Sequence, residues 1–127
     1  MVDSTALPVT QYAARVAETV RRVRNSGKFL LGNTGDFKFE TDAVAYSALQ
    51  PVDKYQLHLL SEAMQTIKES YETFAFSRVY FALANFLADL SSFYFVVVKD
   101  RLYADAKAST QRRAAQTVLY HVRFPFA

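Results

Sequence analysis

From Tyr80 to Val98 the chain carries a single formal charge, Asp89, in 19 residues. That is about the length of a helix that spans a bilayer. The same stretch holds Phe93-Tyr94-Phe95-Val96-Val97-Val98, which in isolation reads as a buried strand. A membrane span, a core strand and a core helix each imply a different protein. Asp89 lies at the centre of the run, where a carboxylate in a membrane helix costs about 2.5–3.5 kcal/mol on insertion scales. Asn85, Ser91 and Ser92 add polar groups beside it. Val79, Tyr80, Leu83, Phe86, Leu87, Leu90, Phe93, Tyr94 and Val97 keep spacings of three and four through the strand-like stretch. The run therefore reads as a helix nearly surrounded by others in a bundle, apolar almost all round. Its charged end, Lys99 to Tyr103, emerges into solvent, and no membrane is expected as a partner.

Other helical patterns surround it. Over residues 8–33, Val9, Tyr12, Ala13, Val16, Val20, Val23, Gly27 and Leu30 recur at helical spacing. Pro8 suits a first turn, and Gly32-Asn33 supplies a stop. Residues 34–50 show neither period and read as a crossing loop that packs its own aromatics, Phe37, Phe39 and Tyr46. Pro51 and Asp53 start a second helix to about Thr73, with Leu57, Leu60, Met64, Ile67, Tyr71 and Phe74 as its stripe. A last helix begins at Ser109, a candidate N-cap, and runs through Ala115, Val118, Leu119 and Val122, with Pro125 just beyond. A length of 127 residues suits one domain, residues 1–127. Three Gly and three Pro favour long regular elements. The expected fold class is all-α, an antiparallel helix bundle. Without Cys, disulfides and thiolate metal sites are excluded and the redox compartment stays open. The N-terminus has no basic region followed by an apolar stretch, so the chain reads as cytoplasmic, or as belonging to an organellar matrix if a leader is missing.

Catalytic constellations are not apparent. His58 and His121 have no ligand-spaced neighbours, so no metal is expected. Gly32 to Phe37 has two glycines but no flanking strand, and reads as a helix stop rather than a phosphate cradle. Glu69 and Glu72 read as a solvated helix face. The charge is segregated: residues 1–39 carry six Lys/Arg and three Asp/Glu, residues 40–98 three and seven, and residues 99–127 six and two. Basic ends around an acidic middle suit a polyanion. One cluster is Arg21, Arg22, Arg24 and Lys28, with Asn25 among them. The other is Lys99, Arg101, Lys107, Arg112 and Arg113, with Tyr103 among them. Cations beside a ring suit RNA, since charges meet phosphates and the ring stacks on an unpaired base. A helical interaction or structural piece without RNA binding is the alternative.

Asp89 to Tyr103, DLSSFYFVVVKDRLY, resembles a signature of isoleucyl-tRNA synthetases, in their anticodon-binding helical domain. The segments VRRVRNSGKFLLGNTGDF (20–37), TDAVAY (41–46), ESYETFAFSRVYFALANF (69–86) and RRAAQTVLYH (112–121) resemble the family in the same order. The resemblance runs from about Val2 to His121. It implies a helical bundle that binds tRNA, isoleucine tRNA in particular. Arg21, Arg22, Arg24, Lys28, Lys99, Arg101, Arg112 and Arg113 are the expected phosphate contacts. Asp89, Ser91, Ser92, Phe93 and Tyr94 are expected to serve packing. The family joins isoleucine to its tRNA with ATP in a separate catalytic domain, a possible partner whose motifs do not occur here. No cofactor is expected in this chain, and no aminoacylation by it alone.

Three departures stand out. Two residues, Leu87 and Ala88, separate Phe86 from Asp89 where the family pattern has three. One residue fewer rotates everything beyond by about 100°, so either the packing adjusts or the helix breaks. Gly27 inside the first helix costs about 1 kcal/mol relative to Ala. The last helix reads as truncated, with Phe124 to Ala127 a remnant of a later segment. Such a bundle would lack part of its last wall, expose apolar surface and be marginally stable.

Overall fold

The computed structural model describes residues 8–123. They form α1 (Val9–Asn33), α2 (Phe39–Asp42), a 3₁₀ turn (Tyr46–Ala48), α3 (Pro51–Glu72), α4 (Phe76–Asp89), a π turn (Leu90–Tyr94), α5 (Phe95–Tyr103) and α6 (Thr110–Arg123). There is no strand among the described residues. Residues 1–7 and the expected remnant, Phe124 to Ala127, lie outside the described residues.

Local chemistry sets the helix ends. Pro51 is the first residue of α3, where its missing N–H is harmless. Gln50 and Asp53 form a reciprocal cap, with the Gln50 N–H donating to Asp53 Oδ2 at 3.1 Å. At the other end Phe74 takes a left-handed φ of 57°. The Ala75 N–H then reaches the Ser70 carbonyl at 2.7 Å and the Phe74 N–H the Tyr71 carbonyl at 3.2 Å. This is a Schellman stop built without glycine, and it folds α4 back along α3 as a helical hairpin. Ser109 caps α6 as expected, its Oγ accepting the Arg112 N–H at 3.1 Å.

α4, the π turn and α5 form one continuous rod, so the shortened spacing at Leu87-Ala88 does not break the helix. In the π turn the Phe95 N–H bonds five residues back, to the Leu90 carbonyl. The Ser91 and Ser92 hydroxyls donate to the Leu87 and Ala88 carbonyls, both at 2.7 Å. A π turn holds an extra residue, so the inward face moves on by about one position. Phe93 and Val97, expected inside, are 43% and 40% exposed, whereas Tyr94, Phe95, Val98 and Leu102 are buried. The rod is also not surrounded. By length and composition it could cross a membrane, but only its inner face is core. Phe76, Phe81 and Val96 lie outside, and Asp89 sits exposed on the open side.

The surrounded helix is α6. Ala114 through Leu119 are six consecutive buried residues. α6 packs against α1, α2, α3 and α5. Its small residues, Ala114, Ala115 and Thr117, let neighbours approach from several sides. The connecting segment binds to it rather than to itself. Phe39 stacks on Tyr120 with ring centres 4.8 Å apart, Phe37 lies 5.8 Å from the same ring, and the Val44 N–H donates to Thr117 Oγ1 at 3.0 Å. Tyr46 makes no such contact and stays exposed, with the Lys54 ammonium 5.2 Å from its ring centre. Apolar surface remains open, as expected. Val9, Tyr12, Val16 and Val20 of α1, and Met64 and Tyr71 of α3, are exposed.

Candidate nucleic-acid interface

The cations of α1 are all at the surface. At 100° per residue, Arg22 lies on the flank that turns toward the rod. Arg21, Arg24 and Lys28 fan across the outer side. Glu18 is their nearest carboxylate, 2.7 Å from Arg21 and 3.9 Å from Arg22. Arg24 and Lys28 have no partner among the described residues.

Lys99 is exposed on α5. It lines the same cleft as Arg22, together with Asn25, Ser26, Phe29, Ser91 and Phe95. The cleft runs between α1 and the π turn. At its base Phe29 stacks on Phe95, with ring centres 4.0 Å apart and planes 21° from parallel. The fold thus brings a cation from each basic cluster to one cleft. Sequence reasoning missed Ser26 and Phe29 as part of it, although they follow Arg22 at i+4 and i+7. Ser91, expected to serve packing alone, has one side in the cleft.

Three expected phosphate contacts are placed differently. Arg101 is 8% exposed. Its Nη1 lies 2.9 Å from both oxygens of Asp53, and its Nη2 donates to Gln50 Oε1. Its partner is Asp53 on α3, 48 positions away in the chain. Arg112 is also buried. It donates to both oxygens of Asp36, at 2.8 and 3.2 Å, and to the carbonyls of Lys107 and Leu102. Arg113, half-buried, lies 3.7 Å from Asp36 and 3.5 Å from Asp42, and donates to Gln116 Oε1 at 2.9 Å. These side chains brace helices. A charge this deep needs a counter-charge, and here acidic partners from α3 and from the segment after α1 supply it.

The braces also set protonation. Hydrogen bonding from Arg112 holds the Asp36 carboxyl down at about 2, against desolvation that raises it. Burial pushes the Tyr94 phenol well above its ordinary range, and the Asp53 charge adds to this. Tyr94 therefore stays a donor, to Asp53 Oδ1 at 2.8 Å.

A family model described as the anticodon-binding domain of tRNA ligase matches residues 53–123. The chain is 46% identical over 110 residues to the isoleucine–tRNA ligase of Gloeobacter violaceus, covering 86% of this chain and 11% of the relative. It is 50% identical over 109 residues to that of Bacillus cytotoxicus, covering 85% of this chain and 12% of the relative. For Symbiobacterium thermophilum the identity is 45% over 109 residues, with the same coverage. The chain thus spans about a tenth of the length of these curated relatives.

Proposed function

The chain belongs to the family of tRNA-ligase anticodon-binding domains, and on that premise we propose that it binds the anticodon stem-loop of isoleucine tRNA. Its role would be the tRNA-binding part of an isoleucine–tRNA ligase. The ATP-dependent joining of amino acid to tRNA belongs, in this reading, to a catalytic domain outside this chain. The choice of isoleucine rests on the relatives, which are isoleucine–tRNA ligases at 45–50% identity.

The observation that carries the reading is the convergence of Arg22 and Lys99 on one cleft, 77 positions apart in the chain. Around them Arg21, Arg24 and Lys28 lie at the surface, where a polyanion can reach them. These five are the residues assigned to phosphate. Arg101, Arg112 and Arg113 are assigned to holding the helices that present them. A second reading, a protein-interaction piece without RNA binding, is favoured by the open apolar stripe of α1 and the exposed end of the α3–α4 hairpin.

Binding to isoleucine tRNA and to an anticodon-swapped version, over a salt series, separates the two. Five cations on phosphate give a slope of about −3.5 to −4.5 in log K against log salt. Tighter binding to the matched anticodon with such a slope supports the proposal. Salt-insensitive or anticodon-blind weak binding favours the interaction piece.

A further inference from the structure

We propose that copies of this chain associate head to tail, the Val9 to Val20 half of α1 of one copy lying in the groove on the outer side of the α3–α4 hairpin of the next. The inference goes beyond the RNA-binding reading and stands without it. It starts from one helix face. Val9, Tyr12, Val16 and Val20 are each at least half exposed. At 100° per residue the other three lie within about 40° of Val16, so the four form one stripe. Arg15 and Arg24 flank the stripe, about 100° to one side and about 80° to the other. Neither guanidinium has a partner among the described residues. Glu18 lies on the opposite side of the helix, held by Arg21 at 2.7 Å. This half of α1 is therefore a basic amphipathic helix whose apolar side is uncovered.

The groove has the complementary character. It runs between α3 and the rod, lined by Leu59, Glu62, Phe81 and Asp89, and continues past Asp89 to Tyr55 and Phe93. The two stretches hold about 390 and 250 Å³. Tyr55 and Phe93 meet edge to face across it, with ring centres 6.4 Å apart. Asp89 is exposed and has no partner among the described residues. Glu62 has the His58 imidazole at 3.0 Å. Arg78, near the hairpin tip, is the cation among the described residues that line the groove. Two carboxylates at the rim and exposed rings between them suit an apolar helix edged with arginines, since guanidinium groups pair with carboxylates and lie over rings. The lengths agree as well: the α3 wall from Tyr55 to Thr66 and the α1 stripe from Val9 to Val20 are each about 17 Å long. Within one copy α1 meets α4 at Thr19 and Tyr80, whose hydroxyls lie 2.8 Å apart. Tyr80 does not line the groove, so the stripe reaches such a groove on a second copy. A contact between two different faces is heterologous, and it repeats into chains or closes into a ring.

The test is sedimentation velocity on the 127-residue chain, without RNA, over a concentration and salt series. One helix in one groove is a small interface, so the weight-average mass is expected to rise about two-fold or more only between about 5 and 500 µM, and to fall back as salt screens the charges. Val16→Asp places a charge in the stripe and Asp89→Lys reverses the rim. Both positions are exposed, so both variants should keep the fold, and circular dichroism checks this. Each variant alone should stay monomeric. Mixed in equal amounts they should form a one-to-one dimer, because Val16→Asp keeps an intact groove and Asp89→Lys an intact stripe. A wild-type chain that is monomeric throughout overturns the proposal. So does an Asp89→Lys variant that associates like wild type, which would put the contact elsewhere than in the groove, and so does a mixture that stays monomeric.

Discussion

Three donors from two parts of the chain converge on the carboxylate of Asp53: the Gln50 N–H, the Tyr94 hydroxyl and the Arg101 guanidinium. Asp53 is wholly buried. Its charge caps α3 and anchors the rod at the same time. Asp53→Ala would leave a buried guanidinium without its carboxylate, and should cost about 3–5 kcal/mol. Urea unfolding at neutral pH measures it, and a loss under 1 kcal/mol would show that Arg101 finds another partner. Asp36 makes a second prediction, in pH. Its folded pKa, at about 2, lies below the ordinary 3.8. A depressed pKa contributes stability that is fully present above the ordinary value and lost as pH falls through the folded one. Stability should therefore decline between about pH 4 and 2, with the effect softened by solvent because the Asp36 side chain is 39% exposed. Asp36→Asn should flatten that part of the curve. Parallel wild-type and variant curves through the window would remove Arg112 as the cause.

Among the elements, the π turn has the widest consequence. It hands the core from Phe86, Leu87 and Leu90 to Tyr94, Phe95, Val98 and Leu102, and it points Arg101 at Asp53. Inserting one alanine between Phe95 and Val96, just beyond the turn, should rotate the rest of α5 by about 100°. Val98 and Leu102 would leave the core and Arg101 would lose its partner. The expected loss is about 4 kcal/mol or more, visible as a collapse of the cooperative unfolding transition. An insertion variant as stable as wild type would show that α5 takes its position from α6 alone. α6 shows the opposite relation of composition to place. It is polar at Thr110, Gln111, Arg112 and Arg113, yet its middle is enclosed, because small side chains admit neighbours that a bulky apolar face keeps out.

At the scale of the whole molecule, apolar surface is left open along α1 and at the end of the α3–α4 hairpin. Each uncovered side chain withholds part of the roughly 25 cal/mol per Å² that burial contributes. The chain should accordingly melt below about 60 °C, within the usual mesophile range. A cooperative calorimetric transition above that temperature would show that the enclosed α6 outweighs the open face.

Helix existence and class could be read from the chain because three-and-four spacing is a local property. α1, α3, the rod and α6 all lie within a few residues of where the periodicity puts them. The family could be read as well, from ordered segments that need no coordinates. The inward face of the rod could not. A π turn depends on which carbonyls find partners, and Ser91 and Ser92 supply hydroxyls without announcing the turn. Nor could the fate of the cations be read. Arg22 and Arg112 are chemically alike, and each has polar neighbours in sequence. Only folding puts Asp36 against Arg112 and Asp53 against Arg101, and leaves Arg22 facing Lys99 across a cleft. Sequence counts charges, whereas pairing depends on distances between residues far apart in the chain, and those distances exist only once the helices have packed.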